Sequence, residues 1–244
     1  MYNKVIVIHI PKTAGSSLQA NLSWARGAIH GNDKGTISID FPIANLPYFE
    51  GLARHAEQRL PELLSPGFQV MNGHFRYRDI APVLGALRPQ VSLVTFLRDP
   101  IKRTISDYLY SSSPRHKGRD AFVASYPSFE SYCKNTGEMN KQFDYMRPFT
   151  NAPLDVTIES ARRNIDFIGR TEQFDQDYTV LVDALGVPDL RTESQNVSPR
   201  QDAARDTFEK YSDMLHDILS DDIALCDALS EDARDRAGST SIRA

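Results

Sequence analysis

The chain has 244 residues, 41% of them hydrophobic and 25% charged, which suits a single soluble α/β domain covering 1–244, with no linker-like stretch to divide it. A net charge of -4 excludes a surface-wide attraction to nucleic acid, so any anion site has to be a local basic pocket. Two cysteines, Cys133 and Cys226, lack pairing or metal-ligand spacing and exclude a disulfide scaffold or structural zinc; no apolar run reaches membrane-spanning length, and a cytoplasmic protein is expected.

Val5-Ile6-Val7-Ile8-His9-Ile10 is a β-branched run with no wet face, the pattern of a central strand in a parallel sheet. A turn over Pro11 to Ser17 and a helix from about Ser16 to Arg26 follow, with Leu18, Leu22 and Ala25 facing inward. Residues 27–47 read as a loop, Tyr48 to Leu64 as a helix, and Phe68 to Met71 as a short strand ending at Asn72-Gly73-His74. Val91 to Leu97 is a second buried strand, after which Asp99-Pro100 opens a helix as N-cap and N1.

The segment 111–153 is rich in Ser, Tyr and charge, with one helix at Phe129 to Lys134. Ile165 to Gly169 is a further strand, Tyr178 to Leu185 a helix, and Asp202 to Leu229 a continuous amphipathic pattern before a frayed end. Alternating strands and helices predict an α/β three-layer sandwich around a mostly parallel sheet.

Two stretches carry chemistry. Ile10-Pro11-Lys12-Thr13-Ala14-Gly15-Ser16-Ser17-Leu18 joins a buried strand to a helix, a turn whose backbone N–H groups and helix N-terminus converge on an anion. Lys12 supplies a mobile charge, Thr13, Ser16 and Ser17 supply hydroxyls, and the small Ala14 and Gly15 let the backbone approach a ligand. The lysine precedes the single glycine, which is not the Walker A order. An ordinary strand-to-helix turn with a surface lysine would leave the same trace.

The second stretch, Phe96-Leu97-Arg98-Asp99-Pro100-Ile101-Lys102-Arg103-Thr104-Ile105-Ser106-Asp107-Tyr108, places an arginine at the carboxyl edge of a strand, where open α/β sheets bind ligands. Arg98 suits bidentate phosphate contact, and Ser106 falls on the same helix face as Asp99. Arg103 reads as helix-surface cover.

Together these stretches resemble the PAPS-dependent sulfotransferases, PAPS being 3'-phosphoadenosine 5'-phosphosulfate. Pro-Lys-Thr-Ala-Gly-Ser-Ser-Leu is similar to the family's 5'-phosphosulfate loop, and Leu-Arg-Asp-Pro-x-x-Arg-x-x-Ser-x-Tyr to its 3'-phosphate motif. The pattern is that of carbohydrate sulfotransferases such as heparan sulfate 2-O-sulfotransferase and soluble bacterial relatives. The resemblance implies a P-loop-like fold, PAPS as donor, adenosine 3',5'-bisphosphate (PAP) as product, and no metal. Ile168-Gly169-Arg170-Thr171-Glu172 and Asn196-Val197-Ser198-Pro199-Arg200 resemble later landmarks, and Arg200 would help hold the nucleotide.

By the same resemblance His74, in Asn72-Gly73-His74-Phe75, is the base that deprotonates an acceptor hydroxyl; a histidine bonded into the sheet edge is the competing reading. Glu172 is a rival base expected to be structural, and His9 is expected to be packed inside its strand. Lys12 would stabilise the leaving oxygen. The acceptor would be a carbohydrate or small metabolite, and Tyr108, Tyr110, Arg115, His116, Lys117 and Arg119 are candidates to line a cleft for an anionic glycan; a solvated loop explains them equally. Two other classes stay open: a P-loop kinase or phosphotransferase, which requires ATP and magnesium, and a non-catalytic nucleotide-binding protein.

Overall fold

The computed structural model describes residues 4–31, 35–191 and 201–237. Five strands, β1 (Lys4–Ile8), β2 (Ile37–Ile39), β3 (Gln69–Gly73), β4 (Ser92–Leu97) and β5 (Phe167–Arg170), form a wholly parallel sheet in the order β2-β3-β1-β4-β5. β1 pairs with β3 on one side and β4 on the other; the chain leaves β1 toward β2 and leaves β4 toward β5, and these opposite directions open a crevice at the carboxyl ends of the two neighbouring strands. The N–H of His9 still donates to the carbonyl of Gly73 at 2.9 Å, but the strand proper stops at Ile8, two residues before the expected end.

Alternation along β1 explains the layers. Val5 and Val7 face α1 (Gly15–His30) and α9 (Phe174–Leu185), packing on Leu18, Leu22, Leu181 and Val182. Ile6 and Ile8 face the opposite layer, to which α2 (Tyr48–Leu63) brings Leu52 and Leu63, α3 (Tyr77–Leu84) brings Ile80, and α8 (Leu154–Asn164) brings Ala161. A third apolar cluster joins α4 (Pro100–Ser111), α6 (Phe129–Cys133) and α10 (Gln201–Ile218), with α5 (Arg119–Ser125) at its rim. The three-layer α/β expectation therefore stands, with a sheet that is parallel throughout.

Several local expectations change. Residues 27–47 contain β2, a three-residue edge strand too short to leave an alternation. The segment 111–153 holds α5, α6 and α7 (Lys141–Met146), and α8 follows. The amphipathic pattern of 202–229 is broken at Leu219 into α10 and α11 (Ser220–Ala237). One side chain from elsewhere makes that break: Asn140 Nδ2 donates to the carbonyl of Ile218 at 3.0 Å, and its Oδ1 accepts from the N–H of Asp222 at 3.0 Å. A single amide thus satisfies groups left free at both helix ends. Asp99 caps α4 as expected, accepting from the N–H of Lys102 at 2.8 Å, with Pro100 in the first turn. Among the described residues no helix is long and apolar enough to cross a membrane.

Candidate active site

The crevice is one cleft of about 900 Å³ at the carboxyl edge of β1, β3 and β4, within the range of roughly 300–1,000 Å³ that holds small ligands. Its walls include Lys12, Ser17, His74, Arg98 and Ser106, so both sequence stretches and the candidate base open onto the same space.

The loop after β1 is shaped by backbone, not by glycine. Lys12 and Ala14 adopt left-handed φ of 71° and 61°, while Thr13 between them does not. Such alternation turns successive N–H groups toward one point, the concavity that binds anions. The Thr13 hydroxyl, expected to reach a ligand, is buried and donates to the carbonyl of Ile10 at 2.9 Å, locking the turn instead. Ser16 and Ser17, in the first turn of α1, do face the cleft. The Lys12 ammonium rests 4.0 Å from the centre of the Tyr110 ring, and burial draws its pKa below the ordinary lysine range, opposed by nearby Asp107.

Arg98 stands at the end of β4 with its backbone fastened on both sides: its N–H donates to Gln142 Oε1 and its carbonyl accepts from Gln142 Nε2, each at 2.8 Å. Its guanidinium donates to the carbonyl of Lys12 at 3.1 Å, linking the two stretches directly. Among the described residues no carboxylate lies within ion-pairing distance of Arg98, and burial lowers its pKa, as for a cation awaiting an anion. Glu172 accepts from the N–H of Asp99 at 3.0 Å, a structural tie at the strand end.

His74 follows β3, and its Nδ1 lies 2.8 Å from the carbonyl of His9. A carbonyl only accepts, so Nδ1 carries the proton and Nε2 keeps its lone pair. Burial lowers the His74 pKa, partly offset by that carbonyl, so at neutral pH the ring is a free base. His9, expected inside its strand, instead sits just beyond β1 against the cleft and stacks on His74 with ring centres 4.2 Å apart.

Sequence reasoning missed three groups. Asp107 lines the cleft and is held by Arg103 at 3.4 Å and by the Tyr132 hydroxyl at 3.1 Å, with Lys141 at 4.0 Å. Arg103, read as surface cover, is fully buried and also donates to the carbonyl of Glu138 at 3.1 Å. Lys141, paired with Glu138, points into the cleft from α7. The Arg103–Asp107 spacing of four was the one available signal. Of the residues suggested for an acceptor wall, Tyr110 and His116 reach the cleft, Tyr108 packs on Phe129 and Tyr132, and Arg119 binds Asp120 and the carbonyl of Ser112. The segment 192–200, with Arg200, lies outside the described residues.

A family model described as "Sulfotransferase family" matches residues 2–230. The chain belongs to the sulfotransferase family. No curated protein matches the sequence. Among solved sulfotransferases, one from Alicyclobacillus acidocaldarius is similar over 93% of this chain and 94% of its own, at 18% identity and TM-score 0.49. Mouse sulfotransferase SULT7A1 complexed with PAP is similar over 88% of this chain, at 13% identity and TM-score 0.44, and this chain spans 66% of the mouse protein's length.

Proposed function

We propose that this sulfotransferase-family chain moves a sulfuryl group from PAPS to an acceptor hydroxyl, by in-line displacement with His74 as base. The observation that carries the reading is the single cleft shared by the Pro11–Ser17 loop, by Arg98 with Ser106, and by His74. The loop N–H groups with Lys12, Ser16 and Ser17 suit the 5' end of the donor, and Arg98 with Ser106 suits its 3'-phosphate.

His74 Nε2 takes the acceptor proton as the acceptor oxygen bonds to sulfur, and the bond from sulfur to the 5'-phosphate oxygen breaks. PAP leaves with that electron pair, and Lys12 swings from the Tyr110 ring to meet the charge. The rest of the cleft suits a carbohydrate acceptor. The half-exposed Tyr48 offers an aromatic face for the C–H surfaces of a sugar, and Asp144 offers a hydroxyl partner.

The test is transfer of labelled sulfate from PAPS to a panel of carbohydrates and small alcohols. Lys12→Ala is expected to lose about 10²–10³ in turnover and His74→Ala about 10²–10⁴, with PAP affinity retained in the His74 variant. Full turnover in either variant removes its assigned role. Binding of PAP without transfer to any acceptor identifies a nucleotide-binding protein, and magnesium-dependent ATP binding a phosphotransferase.

A further inference from the structure

His9 is a ring at the reaction centre to which the proposed chemistry gives no work. It makes no side-chain hydrogen bond among the described residues, yet touches both halves of the machinery. One face stacks on His74 at an interplanar angle of 29°, while its backbone carbonyl receives the His74 Nδ1 proton. The ring also lies over Gly15, where a Cβ would fall 1.9 Å from His9 Cδ2 and 2.1 Å from Nε2. Gly15 is not among the residues of positive φ, so its conformation is open to any side chain. The glycine leaves room for the ring beside it, while its backbone also lines the cleft.

We propose that His9 is a positioning residue that ties the anion loop to the base: wedged between Gly15 and His74, it holds the His74 ring so that the Nε2 lone pair faces the cleft. The inference rests on reading His74 as the base. A ring clamped on one face and bonded at Nδ1 has lost both its rotation and its tautomeric choice before substrate arrives, which is the source of rate in a preoriented site. The coupling also runs the other way, since a shift of the loop at Gly15 displaces His9 and with it the base. Burial and the neighbouring His74 and Lys12 push the His9 pKa down to about 3, so the ring is an uncharged spacer at working pH.

Because shape and not proton transfer is claimed, His9→Phe and His9→Ala separate the possibilities. His9→Phe keeps a flat ring and is expected to hold kcat within about tenfold of the parent. His9→Ala is expected to lower kcat on the order of 10²-fold, with unchanged PAP affinity by calorimetry. Gly15→Ala should lose PAP affinity, thermal stability and kcat together, and adding His9→Ala should recover affinity and stability by removing the clash. ¹⁵N imidazole spectra of His74 report the same claim without turnover: one Nδ1–H tautomer in the parent and in His9→Phe, and averaging of both tautomers in His9→Ala. If no PAPS transfer is found for the parent, the sulfotransfer reading fails while the spectra and the Gly15 pair still judge the clamp. Parent-like kcat or an unaveraged tautomer in His9→Ala overturns it. So does a folded His9→Phe as inactive as His74→Ala, or a double variant no better than Gly15→Ala alone.

Discussion

His74 and His9 are imidazoles whose folded pKa values lie below the ordinary 6.5 because burial penalises their charged forms. The sign follows directly. Below pH 6.5 the unfolded chain binds protons that the folded chain refuses, so stability falls as pH is lowered through that window and is flat above it. For His9 the window reaches down to about 3. Each such group contributes a slope of about 1.4 kcal/mol per pH unit. Urea midpoints at pH 7 and pH 5 should therefore fall with acid in the parent and fall less in His9→Phe; equal slopes in both would show that His9 is freely protonated in the fold. For the proposed reaction the same burial predicts an acid limb of kcat/KM lying below pH 6.5 and absent from the residual activity of His74→Ala.

Arg98 is held less by its own strand than by α7. Gln142, in the first turn of α7, bonds both backbone groups of Arg98, and α7 is in turn anchored by the buried carboxylate of Asp222, which accepts from the N–H of Phe143 at 2.7 Å and of Gln142 at 3.3 Å. A helix of six residues has little stability of its own, so this cap and the packing of Phe143 and Met146 decide whether it forms. Gln142→Leu leaves the part-buried N–H of Arg98 unpaired, at about 1–3 kcal/mol, and leaves its carbonyl with the weaker Cys226 thiol donor at 3.6 Å. The expected result is a lower melting temperature together with weaker PAP binding, measured by thermal unfolding and calorimetry on the same sample. Unchanged PAP affinity in a destabilised Gln142→Leu protein would show that α7 supports the fold without setting the arginine.

Across the molecule, the guanidinium of Arg98 on the carbonyl of Lys12 adds to the Thr95 hydroxyl on the carbonyl of Ile8 in joining the β1 and β4 edges of the cleft. A ligand that engages the Lys12 loop and Arg98 together would staple two strands whose connections run in opposite directions from the middle of the sheet. At a hundredfold excess over Kd a ligand stabilises by about 2.7 kcal/mol, which for a protein of this size is a rise of roughly 5–10 °C in Tm. PAP should give that rise and Arg98→Ala should abolish most of it, whereas adenosine 5'-monophosphate, lacking the second phosphate, should give less. Equal shifts from both nucleotides would place Arg98 outside the site.

The chain's local pattern was enough to reveal buried β1 and β4, the Asp99 cap, the α/β layering and the two stretches whose Lys12, Arg98 and Ser106 open with His74 onto one cleft, because strand burial, capping and anion-binding turns are written in consecutive residues. It did not reveal β2, the break between α10 and α11, or the burial of Arg103, since each depends on a partner distant in the chain: β3 for the edge strand, Asn140 for the helix break, and Glu138 with Tyr132 around the Arg103–Asp107 pair. The same holds for the contact at Gly15, where a histidine six positions earlier is brought back over the glycine by the turn. Contacts made through space carry no periodicity along the chain, and so they become readable when the backbone has closed on itself.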